Sequence, residues 1–287
     1  MSNAPSRTPG TVPFRVMTYN VHGCAGTDGK FDAERIASVI RTYHPDIVAL
    51  QELDVARRRS GGSHQANLIA GHLGMKGHFH PAWLPLPEEQ YGDAILTSWP
   101  FQLIKGAELP TAASPLAFEP RGALWISVQK QDAEIHVINT HLGLSNKERR
   151  NQVDALMGPD WLAHPTCTPP VILCGDLNDI PGSRVYRRIA AKLQDVQKNG
   201  GMFRTRATFP SRLPLIRLDY IFTSPGITVE SVQVCRSPLS RIASDHLPLV
   251  ADLLVPASQL RPQSTPQQPD DLLSDGPRAP LLEADSP

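Results

Sequence analysis

Apolar residues along this chain fall into two patterns: short continuous runs, and longer stretches in which they recur at helical spacing. Continuous runs bounded by polar or breaking residues predict strands buried on both faces. They occur at 14–21, 46–50, 94–97, 123–129, 135–139, 171–174, 218–223, 227–235 and 247–255. Helical spacing follows Asp32, a cap residue, through Ile36, Val39, Ile40 and Tyr43 until Pro45 stops it. A second helix is predicted over 64–73. Ser145 and Glu148 form a capping box ahead of Val153, Leu156 and Met157, and Ser183 caps a helix through Tyr186 and Ile189. A polar hairpin at 130–133 joins two of the strands. Long strand runs with helices between them, together with hairpin-like pairs, predict an α/β fold of two packed sheets flanked by helices.

The two ends read differently. Residues 1–12 are small, polar and Pro-containing, which predicts a flexible arm. The stretch 256–287 holds seven prolines among Gln and Ser, a composition that predicts a disordered tail. One domain is expected between them, over 13–255, since no repeat or linker-like stretch divides it. The whole chain has 28 basic and 28 acidic residues, and the acidic tail leaves the core near +2. Cys24, Cys167, Cys174 and Cys235 are scattered without a CxxC pair, so packed, reduced thiols are expected and a zinc site is not. No apolar stretch is long enough for a membrane span, and the N-terminus lacks an apolar signal core. The expectation is a soluble, cytoplasmic protein.

Chemistry collects where the strand runs stop. The run VILC breaks at Gly175 into Asp176, Asn178 and Asp179, polar groups held at the end of a buried strand. Asp176 could bind a metal or take a proton from water, and Asn178 could donate to an anionic oxygen. By itself such a segment is an ordinary turn. Other strand ends repeat the pattern: Asn20 and His22, then Glu52, then His141, then Asp245 and His246 before the last strand. Asp219 lies within a strand run and needs a partner if buried, with His246 the obvious candidate and Arg217 or Arg241 the alternatives. Glu52, Asp176 and Asp245 are oxygen donors, which suits Mg²⁺ or Mn²⁺ better than zinc.

The ordered segments YNVHG, LQELD, YGDAILTS, RGAL, NTHLG, CGDLND, LDYIF and SDHLPL resemble the endonuclease/exonuclease/phosphatase superfamily. RGAL, TFPS and LDYIFTS look most like bacterial relatives of the branch linked to glycosylphosphatidylinositol-anchor lipid remodelling. The resemblance implies a deoxyribonuclease-I-like four-layer sandwich and a hydrolase that cleaves phosphoric esters with Mg²⁺, for which Mn²⁺ can substitute. It further implies that Glu52 is the principal metal ligand, with Asn20 and Asp245 near the same ion. Asp176 would align and deprotonate water, Asn20 and Asn178 would hold phosphate oxygens, and His141 would touch the phosphate. His246, set by Asp219, would stabilise the transition state or help the leaving oxygen. Arg121 in RGAL either meets the phosphate or forms a surface ion pair.

Several features stay open on sequence alone. His22 either lines the cleft or caps a turn, and Ser244 is expected to fix the SDH turn rather than to act as a nucleophile. Arg57, Arg58 and Arg59 either rim the site or belong to a solvated loop. Asp93 departs from the branch pattern, where an uncharged residue is expected, and could repel a highly charged substrate or bind a second cation. Three classes of function compete. A phosphodiesterase on a small or lipid-derived substrate is favoured over a nuclease because the core lacks a large cation excess and aromatic residues are only 6%. A non-catalytic binding protein is disfavoured because no ligand residue is missing. Partners are therefore a phosphodiester, nucleic acid as the alternative, and a lipid surface touched peripherally; the oligomeric state is open.

Overall fold

The computed structural model describes residues 10–86, 88–111, 119–198 and 206–257. In chain order its strands are β1 (Thr11–Asn20), β2 (Ile47–Val55), β3 (Lys76–Leu86), β4 (Glu89–Thr97), β5 (Phe101–Glu108) and β6 (Gly122–Lys130). The remaining strands are β7 (Ala133–His141), β8 (Val171–Asp176), β9 (Gln194–Asp195), β10 (Asp219–Thr223), β11 (Thr228–Val234) and β12 (Leu249–Pro256). The helices are α1 (Ala33–Tyr43), α2 (Gln65–Leu73), α3 (Asn146–Leu156), α4 (Arg184–Ala190) and α5 (Ser240–Ala243). Two six-stranded sheets result, one ordered β11-β12-β1-β2-β4-β3 and the other β5-β6-β7-β8-β10-β9.

Burial explains why most strands read as unbroken apolar runs. Val16, Ile47, Ala49 and Ile95 of the first sheet pack against Leu124, Val137, Ile172 and Ile221 of the second. The alternate residues Met17, Val48, Leu50 and Leu96 turn outward onto Ile36, Val39 and Ile40 of α1 and Ile69 of α2. On the opposite side Trp125, Ile138, Leu173 and Tyr220 meet Val153 and Leu156 of α3 and Tyr186 and Ile189 of α4. The result is the four-layer α/β sandwich, with the central strands covered on both faces. The helix starts follow local chemistry. Asp32 accepts from the Arg35 N–H at 2.8 Å, Ser145 from Glu148 at 3.2 Å and Ser183 from Tyr186 at 3.0 Å.

The two sheets repeat one pairing scheme at their centres. β12–β1 is antiparallel, β1–β2 parallel and β2–β4 antiparallel, and β6–β7, β7–β8 and β8–β10 follow the same sequence. Each sheet thus has one central parallel pair whose carboxyl ends lie side by side.

The sequence pattern misses β3, β5 and β9, all at or beside sheet edges. β3 contains Gly77 and Pro81, and an edge strand tolerates a missing N–H that a central strand does not. β5 is largely half-exposed and so lacks a continuous apolar run. Thr11 and Val12, expected in the arm, belong to β1, where Val12 pairs with Val255 and is buried. β12 likewise runs through Pro256, beyond the expected boundary. The rest of the expected arm (1–9) and of the expected tail (258–287) lies outside the described residues. The four cysteines are free and buried, as expected.

Gly175 has a φ of +137°, and a Cβ there would lie 1.8 Å from the Thr140 carbonyl oxygen on β7. Only glycine lets β8 pass β7 this closely. Gly175→Ala should therefore destabilise the fold by about 3 kcal/mol, read as a lower midpoint in denaturant unfolding. An unchanged midpoint would show that the two strands can separate freely.

Candidate active site

The carboxyl ends of the two parallel pairs converge on one cleft. Asn20 ends β1 in register with Gln51, and His141 ends β7 in register with Asp176 on β8. Asp219 opens β10 directly opposite Asp176. Asp245 and His246 arrive on the loop before β12, and that loop is tied down by Ser244. The Ser244 hydroxyl donates to Asn20 O at 2.8 Å and accepts from the His246 N–H at 3.2 Å. Ser244 thus holds the turn, as the sequence predicts.

Two site residues occupy left-handed backbone conformations, Glu52 at φ 62° and Asn178 at φ 48°. A non-glycine residue there costs about 1–2 kcal/mol. At Glu52 the register of β2 against β4 slips between Leu50 and Leu53. The buried carboxyl of Asp93 lies beside the Glu52 backbone at this strained turn, where the Glu52 N–H favours its charged form.

Side-chain contacts then close a network. Asn20 Nδ2 donates to Glu52 Oε1 at 2.8 Å and to Asp176 Oδ2 at 3.0 Å. His141 Nε2 stands 3.8 Å from that Glu52 oxygen and 3.7 Å from that Asp176 oxygen. The other Asp176 oxygen accepts the Asn178 N–H at 2.8 Å. His246 Nε2 faces Asp176 Oδ2 at 3.7 Å, and its Nδ1 lies 2.9 Å from Asp219 Oδ2. Of the alternatives for Asp219, the structure selects His246: Arg217 pairs with Asp195 and Arg241 donates to Arg212 O. Asp245 pairs with His22 at 3.2 Å, so His22 sits in the cleft.

Burial and charge set the protonation states. Burial works against a charged His246, but Asp219 and Asp176 outweigh it and raise the imidazole to about 10. Burial raises the Asp176 carboxyl, Asp219 adds to that rise, and the His246 charge opposes it. His141 is pushed down by burial and then by the charges of Arg121 and His246, so it is neutral. Its two nitrogens face Asn178 Nδ2 at 2.9 Å and Arg121 Nη1 at 3.3 Å, of which a neutral ring accepts one. Burial raises Asp93 to about 7, against the pull of the Arg121 charge.

Arg121 is buried beside His141 and pairs with Glu119 at 3.1 Å, which excludes an ordinary surface ion pair. Arg57 and Arg59 do not rim the site as free cations. Both bond to the buried carboxylate of Asp54, at 3.3 and 2.8 Å, and Arg57 also meets Glu89. Sequence reasoning missed Tyr91, which is buried close to Glu52, and Phe209, whose ring lies 4.9 Å from that of His246. Neither carries a local signal, since both reach the cleft by packing.

The donor set fits a hard divalent cation. Glu52 and Asp176 share the Asn20 amide, Asp245 stands at the same cleft beside His22, and the four cysteines are buried elsewhere. Asp176, Asp219 and His246 also bring one ligand atom each within 4.8 Å of one another. A charged His246 carries protons on both nitrogens, so in that trio it acts as a donor and not as a ligand.

Paired six-stranded sheets with an acid-, amide- and imidazole-lined cleft at the strand ends define a class, and the chain belongs to the Endonuclease/Exonuclease/phosphatase family, whose model matches residues 17–246. It is 27% identical over 264 residues to YbhP of Escherichia coli K12, covering 84% of this chain and 96% of that one. A solved endonuclease/exonuclease/phosphatase from Beutenbergia cavernae is 25% identical with a TM-score of 0.67, over 85% of this chain and 72% of that one. The Bacteroides thetaiotaomicron mannosyl-6-phosphatase Bt3783 shares the fold at 19% identity and a TM-score of 0.67, over 84% of this chain and 99% of that one. Among the described residues no helix is long and apolar enough to cross a membrane.

The Asp219–His246 contact has a direct spectroscopic consequence. In an NMR titration the His246 ring should remain protonated through neutral pH, and Asp219→Asn should move its titration to lower pH. A neutral His246 at pH 7 in the native protein would contradict the pairing.

Proposed function

We propose that this chain is a divalent-metal-dependent phosphoesterase that hydrolyses a phosphodiester by in-line attack of water, acting on a small or lipid-derived substrate. The observation that carries this reading is Asp176 Oδ2, a buried carboxylate oxygen facing Asn20, His141 and His246 at once. One Asp176 oxygen is fixed by the Asn178 N–H, which leaves the other aimed into the cleft to accept a proton from water. Across from it, charged His246 can donate to an oxygen that gains negative charge, and Asp219 holds its ring in place. The amides of Asn20 and Asn178, with His141 and Arg121 behind them, supply donors for the non-bridging phosphate oxygens. Glu52, with Asn20 and Asp245 nearby, would hold Mg²⁺ or Mn²⁺, which when bound supplies Lewis-acid stabilisation of the phosphoryl charge. A near-neutral core argues for a compact phosphodiester over a long nucleic acid.

Chelation by EDTA should abolish hydrolysis of a phosphodiester, with Mg²⁺ or Mn²⁺ restoring it. Glu52→Gln should lower turnover at least about a hundredfold and weaken Mn²⁺ binding measured by electron paramagnetic resonance. Full activity in EDTA would remove the metal from the reaction, and unaltered Mn²⁺ affinity would remove Glu52 from its shell.

The pH profile should be bell-shaped. Activity needs Asp176 without its proton and His246 with one, and the folded protein raises both groups. The acid limb should therefore lie above the ordinary carboxylate range, and the alkaline limb should fall through about 10. Because the two groups face each other at 3.7 Å, both limbs belong to the pair. A rate that keeps rising with pH beyond the alkaline limb would exclude His246 as a proton donor.

A further inference from the structure

Beside the cleft the chain sets an apolar ridge into solvent. Residues 209–216 form a closed loop in which Phe209 O accepts from the N–H groups of Leu215 and Ile216 at 2.9 and 2.8 Å. The base of the loop belongs to the cleft wall: Phe209 lies against His246, and the Ser211 N–H donates to Asp245 O at 2.7 Å. Its tip carries Leu213 and Leu215, 67% and 73% exposed, the two most open large apolar side chains among the described residues. They are not isolated. Leu215 and Ile216 line an open depression of about 450 Å³ with Ile180, Pro181 and Ala207, and its charged lining is entirely cationic, from Lys198, Arg206 and Arg217.

Four arginines, Arg206, Arg212, Arg236 and Arg241, lie on or near this loop. Burial, and then the nearby charges of Arg206 and Arg241, disfavour the charge of Arg236, and Arg241 Nη1 donates to Arg212 O beside Leu213 at 2.7 Å. Among the described residues none of Arg206, Arg212, Arg236 and Arg241 forms an ion pair with a carboxylate. Exposed leucines ringed by unpaired arginines, on the rim of a phosphoester site, are suited to an interface that is apolar at depth and anionic at its surface.

We propose that the 209–216 loop, with Ile180 and these arginines, docks the protein on an anionic phospholipid bilayer. The leucines enter the acyl boundary and the guanidinium groups stay at headgroup level. The docked cleft opens onto the interface, which deepens the phosphodiester reading by placing its substrate there. Single-stranded nucleic acid would complement the arginines but leave the leucines bare, and the one aromatic ring of the loop already packs on His246. A second copy of the chain would bring the same arginines face to face across a two-fold interface.

Co-sedimentation with vesicles tests the proposal. The full chain should bind phosphatidylcholine vesicles containing phosphatidylglycerol, should not bind pure phosphatidylcholine vesicles, and should detach as salt rises. Leu213→Ser with Leu215→Ser should weaken partitioning about a hundredfold. Arg206→Gln and Arg236→Gln should each weaken it about fivefold. Equal binding by the leucine variant would overturn the proposal. So would a dimer that the leucine variant dissolves, or preferential binding of a single-stranded oligonucleotide that only the arginine changes reduce. Hydrolysis of soluble bis(p-nitrophenyl) phosphate separates the two readings. The leucine variant should match the native rate on it. Vesicle binding without any phosphodiester hydrolysis by the native chain would leave docking standing and remove the enzymatic reading. Hydrolysis without vesicle binding would do the reverse.

Discussion

Two fully buried amides, Gln51 and Asn139, meet across the gap between the sheets at 2.7 Å, and the cleft depends on that contact. Apolar packing between sheets is non-directional and by itself would allow one to slide over the other. The amides remove that freedom. Gln51 also donates to the Thr18 hydroxyl, and Asn139 donates to the carbonyls of Leu50 and Ala94, so the clasp joins β1, β2, β4 and β7. A slip of the sheets would strand these buried groups at about 1–3 kcal/mol each. Glu52 follows Gln51 directly and His141 lies two residues past Asn139, so the same contact sets the distance between carboxylate and imidazole.

Strain and charge are balanced above this clasp. The left-handed turn at Glu52 projects its carboxylate into the cleft, and the buried Asp93 carboxyl lies beside the Glu52 backbone. Asp93 is buried and would be costly as a lone anion, but Arg121 stands near it and extends to His141. Asp93 thereby links the backbone of one sheet to the imidazole of the other. The free carboxylate beside a substrate that the sequence leaves open is instead a supporting group.

Fold and site were legible in the sequence to different depths. Strands sandwiched between a sheet and a helix layer must be apolar throughout, so 123–129, 135–139 and 171–174 were evident, and local caps marked Asp32, Ser145 and Ser183. Edge strands face no such demand, which hid β3 and β5. Thr11 and Val12 read as an arm because their place in the sheet comes from backbone pairing with a strand near the other end of the chain. The cleft residues stood out because each sits at or next to an end of a buried strand, and the motif order made the set specific. Their partners were less visible. Arg57 and Arg59 form a basic run in sequence, but folding turns both onto Asp54. Tyr91 and Phe209 are ordinary aromatic residues until packing brings them to Glu52 and His246.

The central place of β1 also has a consequence in time. It lies between β2, which follows it closely, and β12, which is made near the end of the described chain. During synthesis all of the second sheet emerges before β12 does, so one edge of β1, with Val12, Phe14 and Val16, stays unpaired through most of translation. An open apolar edge of this kind invites pairing with other chains, and contacts this distant form slowly. A nascent chain stopped short of Asp245 already carries Glu52 and Asp176 but lacks both His246 and the strand that closes β1. Among the described residues, the cleft is completed only as β12, the last strand in chain order, is made.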